Sequence, residues 1–135
     1  MTPEEAEALH AAARTYAGTG TILELATATA DSAPSLVAAA RETGATLIAL
    51  DHNSGSETWR TPLRMLVIHG AHSESAARSA YDNWVHWLAG GGLLAIHDVS
   101  SEDAALYRRA LATGKFTEFA TTGSLHILQR TAACN

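Results

Sequence analysis

The stretch LRMLVIHGAH, residues 63–72, is an apolar run that ends in polar side chains able to exchange protons. A second run of the same kind, GGGLLAIHD, occupies residues 90–98. Continuous apolar runs are typical of parallel strands that are buried on both faces of a sheet. Open α/β sheets bind their ligands beyond the carboxyl ends of such strands. The two runs therefore predict an α/β fold, with a chemical site formed by His69, His72, His97 and Asp98.

Strands and helices alternate on both sides of these runs. The hydrophobic pattern and the end signals predict helices over 2–16, 31–43, 73–88 and 100–113, and strands over 21–25, 46–50, 64–68 and 93–97. Residues 116–120 and 124–129 are predicted to form a terminal hairpin around Gly123. This alternation favours a three-layer, mostly parallel sheet with right-handed crossovers and a C-terminal antiparallel hairpin.

The size and composition of the chain are those of a single globular domain over residues 1–135, in which 1–20 form an N-terminal helix and lead-in. The 135 residues are 47% hydrophobic and 17% charged, which suits one core. A net charge of −5 without a lysine or arginine run argues against a nucleic-acid partner. No membrane span or signal peptide is recognisable, and the single cysteine, Cys134, allows no internal disulfide. We expect a cytoplasmic protein that acts on a small molecule.

The order of the motifs resembles that of the class I S-adenosylmethionine-dependent methyltransferases. The matching segments are ILEL at 22–25, LDH at 50–52, IHGAHS at 68–73 and residues 88–98, against a family pattern of I-D-G-D-H-S, a helix and L-x-x-G-G-x-x-x-x-H-D. The resemblance covers residues 21–130 and implies a Rossmann-like, methyltransferase-type sheet. It also implies that Asp51, if S-adenosylmethionine binds, holds the ribose hydroxyls.

Four departures from the family pattern concern the cofactor. The loop ATATAD at 26–31 has alanines where the family has glycines that let the backbone approach the cofactor. Only fifteen residues separate Asp51 from Val67, so the sheet is expected to lack a strand–helix unit. His69 replaces an aspartate, and Ala80 stands where the family often has an acid. These departures indicate a dismantled pocket in which S-adenosylmethionine is a doubtful cofactor.

Histidines are numerous, with seven in the chain, and several lie near the predicted ligand edge. Imidazole titrates near neutrality and also binds divalent metals. In metal-dependent relatives, acids after the same two strands hold a cation. The resemblance therefore implies a divalent metal on His69, His72 and Asp98, with His97 as a further ligand or beside it. Alternatively, His72 and His97 are inherited family residues, and strand alternation turns His97 and Asp98 apart.

The remaining candidates complete the predicted site. Catalytic roles are assigned to His69, His97, Asp98 and Glu24, and the substrate pocket to His52, Glu57 and Trp59. Glu24 is interpreted either as a general base with a raised pKa, if buried, or as a structural acid that binds the following loop. His126 lies near the same edge or is an ordinary sheet residue.

The main functional hypothesis is a small-molecule enzyme that does not methylate. Histidine-centred acid–base chemistry would drive an elimination, isomerisation or cyclisation in specialised metabolism, with or without a divalent metal. Two alternatives stay open: a genuine S-adenosylmethionine-dependent O-methyltransferase with an unusual cofactor pocket, and a non-catalytic binding partner. Loss of a strand–helix unit would expose an apolar flank, which predicts a homodimer.

Overall fold

The computed structural model describes residues 2–26, 34–51, 54–69, 74–97 and 103–131. Within these ranges the chain forms four α-helices, one 3₁₀ turn and six strands. In chain order they are α1 Pro3–Tyr16, β1 Thr21–Ala26, α2 Pro34–Thr43, β2 Thr46–Asp51, β3 Leu63–His69, α3 Glu74–Trp84, the 3₁₀ turn Val85–Trp87, β4 Leu88–His97, α4 Asp103–Ala112, β5 Phe116–Thr122 and β6 Leu125–Arg130. None of the described helices is both long and apolar enough to cross a bilayer.

The six strands form one sheet in the order β2-β1-β3-β4-β6-β5. The first four strands run parallel, and β6 is antiparallel to both β4 and β5. Between β2 and β3 the described residues contain no further strand or helix. The prediction of a mostly parallel α/β sheet with a terminal hairpin, shortened by one strand–helix unit, is therefore confirmed.

Side-chain alternation along the strands builds two cores, one on each face of the sheet. The core beneath α1 and α2 contains Leu9, Ile22, Leu36, Met65, Val67, Leu93 and Ile127. The core beneath α3 and α4 contains Leu23, Leu66, Ile68, Trp84, Leu94, Ile96 and Leu106. Burial on both faces explains why the central strands read as uninterrupted apolar runs.

Helix α1 begins with a reciprocal cap. The side-chain hydroxyl of Thr2 accepts a hydrogen bond from the Glu5 amide at 3.1 Å, and Glu5 Oε1 accepts one from the Thr2 amide at 2.8 Å. This capping box satisfies two amides that a helix start otherwise leaves unpaired, and Pro3 fits the first turn, where no amide donor is needed. The predicted first helix is confirmed.

The boundary between α3 and β4 differs from the prediction. The α-helix ends at Trp84 rather than at 88, and β4 begins at Leu88 and includes the three glycines. Arg130 donates to the carbonyls of Val85 and Leu88, which ties the end of the helix to β6. Glycine is needed at 92, because a Cβ there would lie 2.9 Å from the Arg64 carbonyl oxygen. The triple glycine is therefore a bulged part of the strand, not a turn before it.

Strand β2 is the outermost strand on one side of the sheet. None of its residues is fully buried, and four of its six side chains are apolar. An exposed apolar edge strand is a template for pairing with another chain. The predicted homodimer stays a prediction, with the β2 edge as its expected interface.

We expect Ala49→Lys to convert a wild-type dimer into a monomer, because a charge on the exposed edge opposes strand pairing. The matched control is Thr117→Lys on β5 at the opposite edge, which should leave the dimer intact. Sedimentation equilibrium measures the mass against the monomer value of 14.2 kDa. A wild-type mass that stays monomeric at every concentration would contradict the prediction.

Candidate functional site

A buried carboxylate–histidine pair bridges β1 and β3 near their carboxyl ends. Nε2 of His69 lies 2.6 Å from Oε2 of Glu24, whose side chain is fully buried. Strand alternation places Glu24 on the same side as Ile22, and His69 on the same side as Val67, both toward α1 and α2. The pair therefore lies at the edge of the sheet where ligands of open α/β folds bind.

A second pair lies beside the first, on β4. His97 is the register partner of His69 and faces the same side of the sheet. Its Nε2 lies 3.2 Å from Oε1 of Glu5, in the first turn of α1. Oε2 of Glu5 accepts hydrogen bonds from the amide of Ser124 at 2.6 Å and from its hydroxyl at 2.9 Å. Two histidines on neighbouring strands are thus each held by a glutamate.

Hydrogen bonding controls the charge of Glu5. Backbone hydrogen bonds from Thr2 and from Ser124 lower its pKa to about 2, against the opposing effect of burial. The side chain is therefore an ionised carboxylate at neutral pH, and an ionised carboxylate can only accept hydrogen bonds.

The two pairs share a chemical consequence. When Nε2 of a neutral imidazole donates to a carboxylate, its proton is fixed there and the lone pair is on Nδ1. A carboxylate in this place also stabilises the imidazolium that forms when Nδ1 takes a proton. The side chains of His69 and His97 are 14% and 10% exposed, so both are largely shielded from water. The arrangement is suited to proton abstraction.

The other predicted residues are more scattered. Asp51 ends β2, half-buried, next to Ala26 in the sheet register and two positions beyond Ala49, the register partner of Glu24. Trp59 packs against Trp84, with ring centroids 5.1 Å apart, beneath α3 and therefore on the opposite face. Glu57, in the same segment, is exposed. The assignment of Glu57 and Trp59 to a substrate pocket stays a prediction.

His126 does not join the two pairs. It is opposite Ile96 in the sheet register, and its ring lies 4.4 Å from that of Tyr107 in α4, on the α3–α4 face. Burial lowers its pKa, which disfavours the charged form. The structure therefore supports the interpretation of His126 as an ordinary sheet residue.

Some of the predicted site lies outside the described residues: His52, His72, Asp98 and positions 27–31 of the alanine-rich loop. Within the described ranges no three histidine, cysteine or acidic side chains are grouped so as to hold a metal ion. The predicted metal set consists of His69, His72 and Asp98. Because His72 and Asp98 are outside these ranges, that set stays a prediction.

Glu5 is the site residue that the sequence analysis missed. The sequence shows Thr2 and Glu5 at capping-box spacing, which explains the helix start. It does not show that the glutamate is buried against a histidine 92 positions away. Ser124 was assigned to the terminal hairpin without any role toward the site.

Comparison with known proteins identifies relatives of the chain. Residues 9–99 match a family described as "Methyltransferase domain". An rRNA methylase from Streptococcus thermophilus superposes with a TM-score of 0.62 at 15% identity, covering 97% of this chain and 99% of the methylase. A Streptococcus mutans protein in complex with S-adenosyl-L-homocysteine superposes with a TM-score of 0.59 at 15% identity, covering 96% of this chain and 99% of that protein. MycE methyltransferase from the mycinamycin biosynthetic pathway, in complex with Mg and S-adenosyl-L-homocysteine, superposes with a TM-score of 0.65 at 10% identity. The match covers 93% of this chain and 49% of MycE.

The family match contradicts the main functional hypothesis. A non-methylating elimination, isomerisation or cyclisation enzyme was inferred from the alanine-rich loop and from His69, and it is wrong. The hypothesis took the loop alanines, together with the missing strand–helix unit, His69 and Ala80, to indicate a dismantled cofactor pocket. Two of the similar structures contain S-adenosyl-L-homocysteine.

Proposed function

The chain belongs to the methyltransferase domain family, and on that premise we propose that it is an S-adenosylmethionine-dependent O-methyltransferase with His69 as its general base. The observation that carries the proposal is the buried 2.6 Å contact between Glu24 and His69 at the carboxyl edge of two central strands. A hydroxyl methyl acceptor must lose its proton, and a carboxylate-held imidazole is the common biological base for that step.

The described residues at this edge fit S-adenosylmethionine. Its ribose offers two hydroxyl donors, and Asp51 is a half-buried carboxylate acceptor at the end of β2. Ala26, the last residue of β1, is the register partner of Asp51. Asp51 therefore lies at the same edge of the sheet as Glu24 and His69. Asp51 would hold the ribose. When bound, S-adenosylmethionine supplies an electrophilic methyl group carried on a sulfonium.

The work of the protein side chains is to bind, orient and move a proton. The imidazole of His69 takes the proton of the acceptor hydroxyl, and the oxygen becomes the nucleophile. Glu24 holds the ring through Nε2 and stabilises the imidazolium that results. Because Glu24 is fully buried, water does not compete for its carboxylate. A positioned base of this kind contributes roughly 10²-fold to 10⁴-fold to a rate.

The proposal is tested first by cofactor binding. Isothermal titration calorimetry of the purified chain with S-adenosylmethionine should give a Kd in the micromolar range, about −8 kcal/mol. Asp51→Asn should weaken binding about tenfold or more, because an amide accepts through only one oxygen. The matched control is Asp82→Asn on the exposed surface of α3, which should bind like the wild type. Absence of binding to the wild-type protein would sink the proposal.

A further inference from the structure

Glu5 has a set of contacts that a helix cap does not require. Oε1 accepts from the Thr2 amide and faces His97 Nε2, while Oε2 accepts from the amide and the hydroxyl of Ser124. The residue is 3% exposed. Four donors converge on one carboxylate, which offsets the cost of burying its charge. These contacts join the start of α1, the end of β4 and the turn between β5 and β6.

The turn between β5 and β6 is shaped to receive this carboxylate. Gly123 has a φ of +58°, and a Cβ placed there would lie only 2.4 Å from Glu5 Oε2. The turn therefore needs glycine for its backbone conformation and also for the space that Glu5 occupies. A glutamate that served only to cap α1 would not need a cleared pocket in a turn more than a hundred residues away.

The orientation of His97 follows from these contacts. An ionised carboxylate accepts only, so Nε2 of His97 carries the proton in this contact. In the part of the chain that the structure describes, Nδ1 of His97 forms no hydrogen bond. His97 lies directly beside His69 in the sheet register, on the same face. Its ring is therefore held from one side, and its lone-pair nitrogen is left for a ligand.

We propose that Glu5 is a positioning residue of the active site, which holds the ring of His97 through Nε2 and leaves Nδ1 to accept a hydrogen bond from the bound methyl acceptor. The proposal rests on the proposed methyltransferase function for the identity of that ligand. It adds α1 to the site, although Glu5 and Ser124 both lie outside residues 9–99, which match the family. Charge-assisted hydrogen bonds of this kind orient an imidazole more strongly than neutral ones.

The test is proton NMR of the full chain. The wild type should show a downfield imidazole N–H resonance that is protected from exchange and disappears in His97→Asn. Glu5→Gln should lose or broaden it, because one amide oxygen cannot serve all four donors. Glu4→Gln, an exposed neighbour in the same helical turn, should keep it. If Glu5→Gln does not fold, Glu5→Asp, which withdraws the carboxylate by one methylene, should give the same loss.

Kinetics separate positioning from a purely structural role. In folded Glu5→Gln we expect kcat/KM for the methyl acceptor to fall about 10-fold to 100-fold, as for loss of a hydrogen bond to a charged group, with the Kd for S-adenosylmethionine unchanged. A wild type without the protected resonance, or a Glu5→Gln variant that keeps it or keeps full kcat/KM, would overturn the proposal. Failure of the wild type to bind S-adenosylmethionine would overturn the methyltransferase function instead, and the resonance would still decide whether Glu5 holds His97.

Discussion

Replacing His69 with glutamine lowers kcat by about 10²-fold or more and leaves S-adenosylmethionine binding within about twofold of the wild type. The expectation follows from the contact of His69 with buried Glu24. Glutamine can still donate a hydrogen bond to the carboxylate, so the buried charge stays partnered, but it cannot take a proton. Steady-state kinetics with a hydroxyl acceptor and calorimetry with the cofactor measure the two quantities separately.

The matched control for this substitution is His86→Gln. His86 is exposed in the 3₁₀ turn that precedes β4, away from the carboxyl edge. Its replacement should leave kcat within experimental error. Two results would rule out His69 as the base: a His69→Gln enzyme with wild-type kcat, or a loss of cofactor binding that matches the loss of turnover.

Replacing Trp84 with alanine destabilises the fold by about 3–5 kcal/mol, the range for removing a large aromatic side chain from a core. Trp84 is fully buried beneath α3. Its indole Nε1 donates to the Ser54 carbonyl at 2.9 Å, and its ring meets that of Trp59 edge to face. Trp84 therefore packs in the α3–α4 core and also holds the segment between β2 and β3 through Ser54 and Trp59. Urea denaturation followed by circular dichroism gives the free energy of unfolding.

Two further variants test how much of this loss of stability comes from the hydrogen bond to Ser54 and how much from the buried position of Trp84. Trp84→Phe keeps most of the volume and removes the hydrogen bond to Ser54, so it should cost about 1–2 kcal/mol. Trp87→Ala removes a tryptophan that is only half-buried, and it should cost less than Trp84→Ala. Equal losses of unfolding free energy for Trp84→Ala and Trp87→Ala would contradict a larger contribution of Trp84 to the core.

The parts of the fold that are local in sequence could be predicted. The apolar runs before His69 and His97 indicate central strands, since burial on both faces favours such runs. The cap at Thr2 and the glycine at 123 mark a helix start and a hairpin turn by local backbone chemistry. The short interval between Asp51 and Val67 is enough to predict a sheet that lacks one strand–helix unit.

The parts that depend on distant contacts could not be predicted. The end of α3 is set by Trp84 and by Arg130, which reaches back from β6. The role of Glu5 depends on residues 92 and 119 positions away, beyond any periodicity. The mistaken inference of a lost activity has a related cause. A single methyl group on a loop residue excludes a ligand only if the ligand approaches that Cβ, and sequence does not show where it approaches.

The bond between Glu5 and Ser124 has a consequence for how the protein is made. Ser124 is synthesised 119 residues after Glu5, so this contact closes a loop of 119 positions. Contacts of such long range form late, because the chain entropy lost on closure must be offset by structure already in place. During translation, Oε2 of Glu5 would lack its two donors from Ser124 until the β5–β6 hairpin had left the ribosome. The same hairpin supplies Leu125 and Ile127 to the core beneath α1 and α2, so a nascent chain would complete its core and its site together.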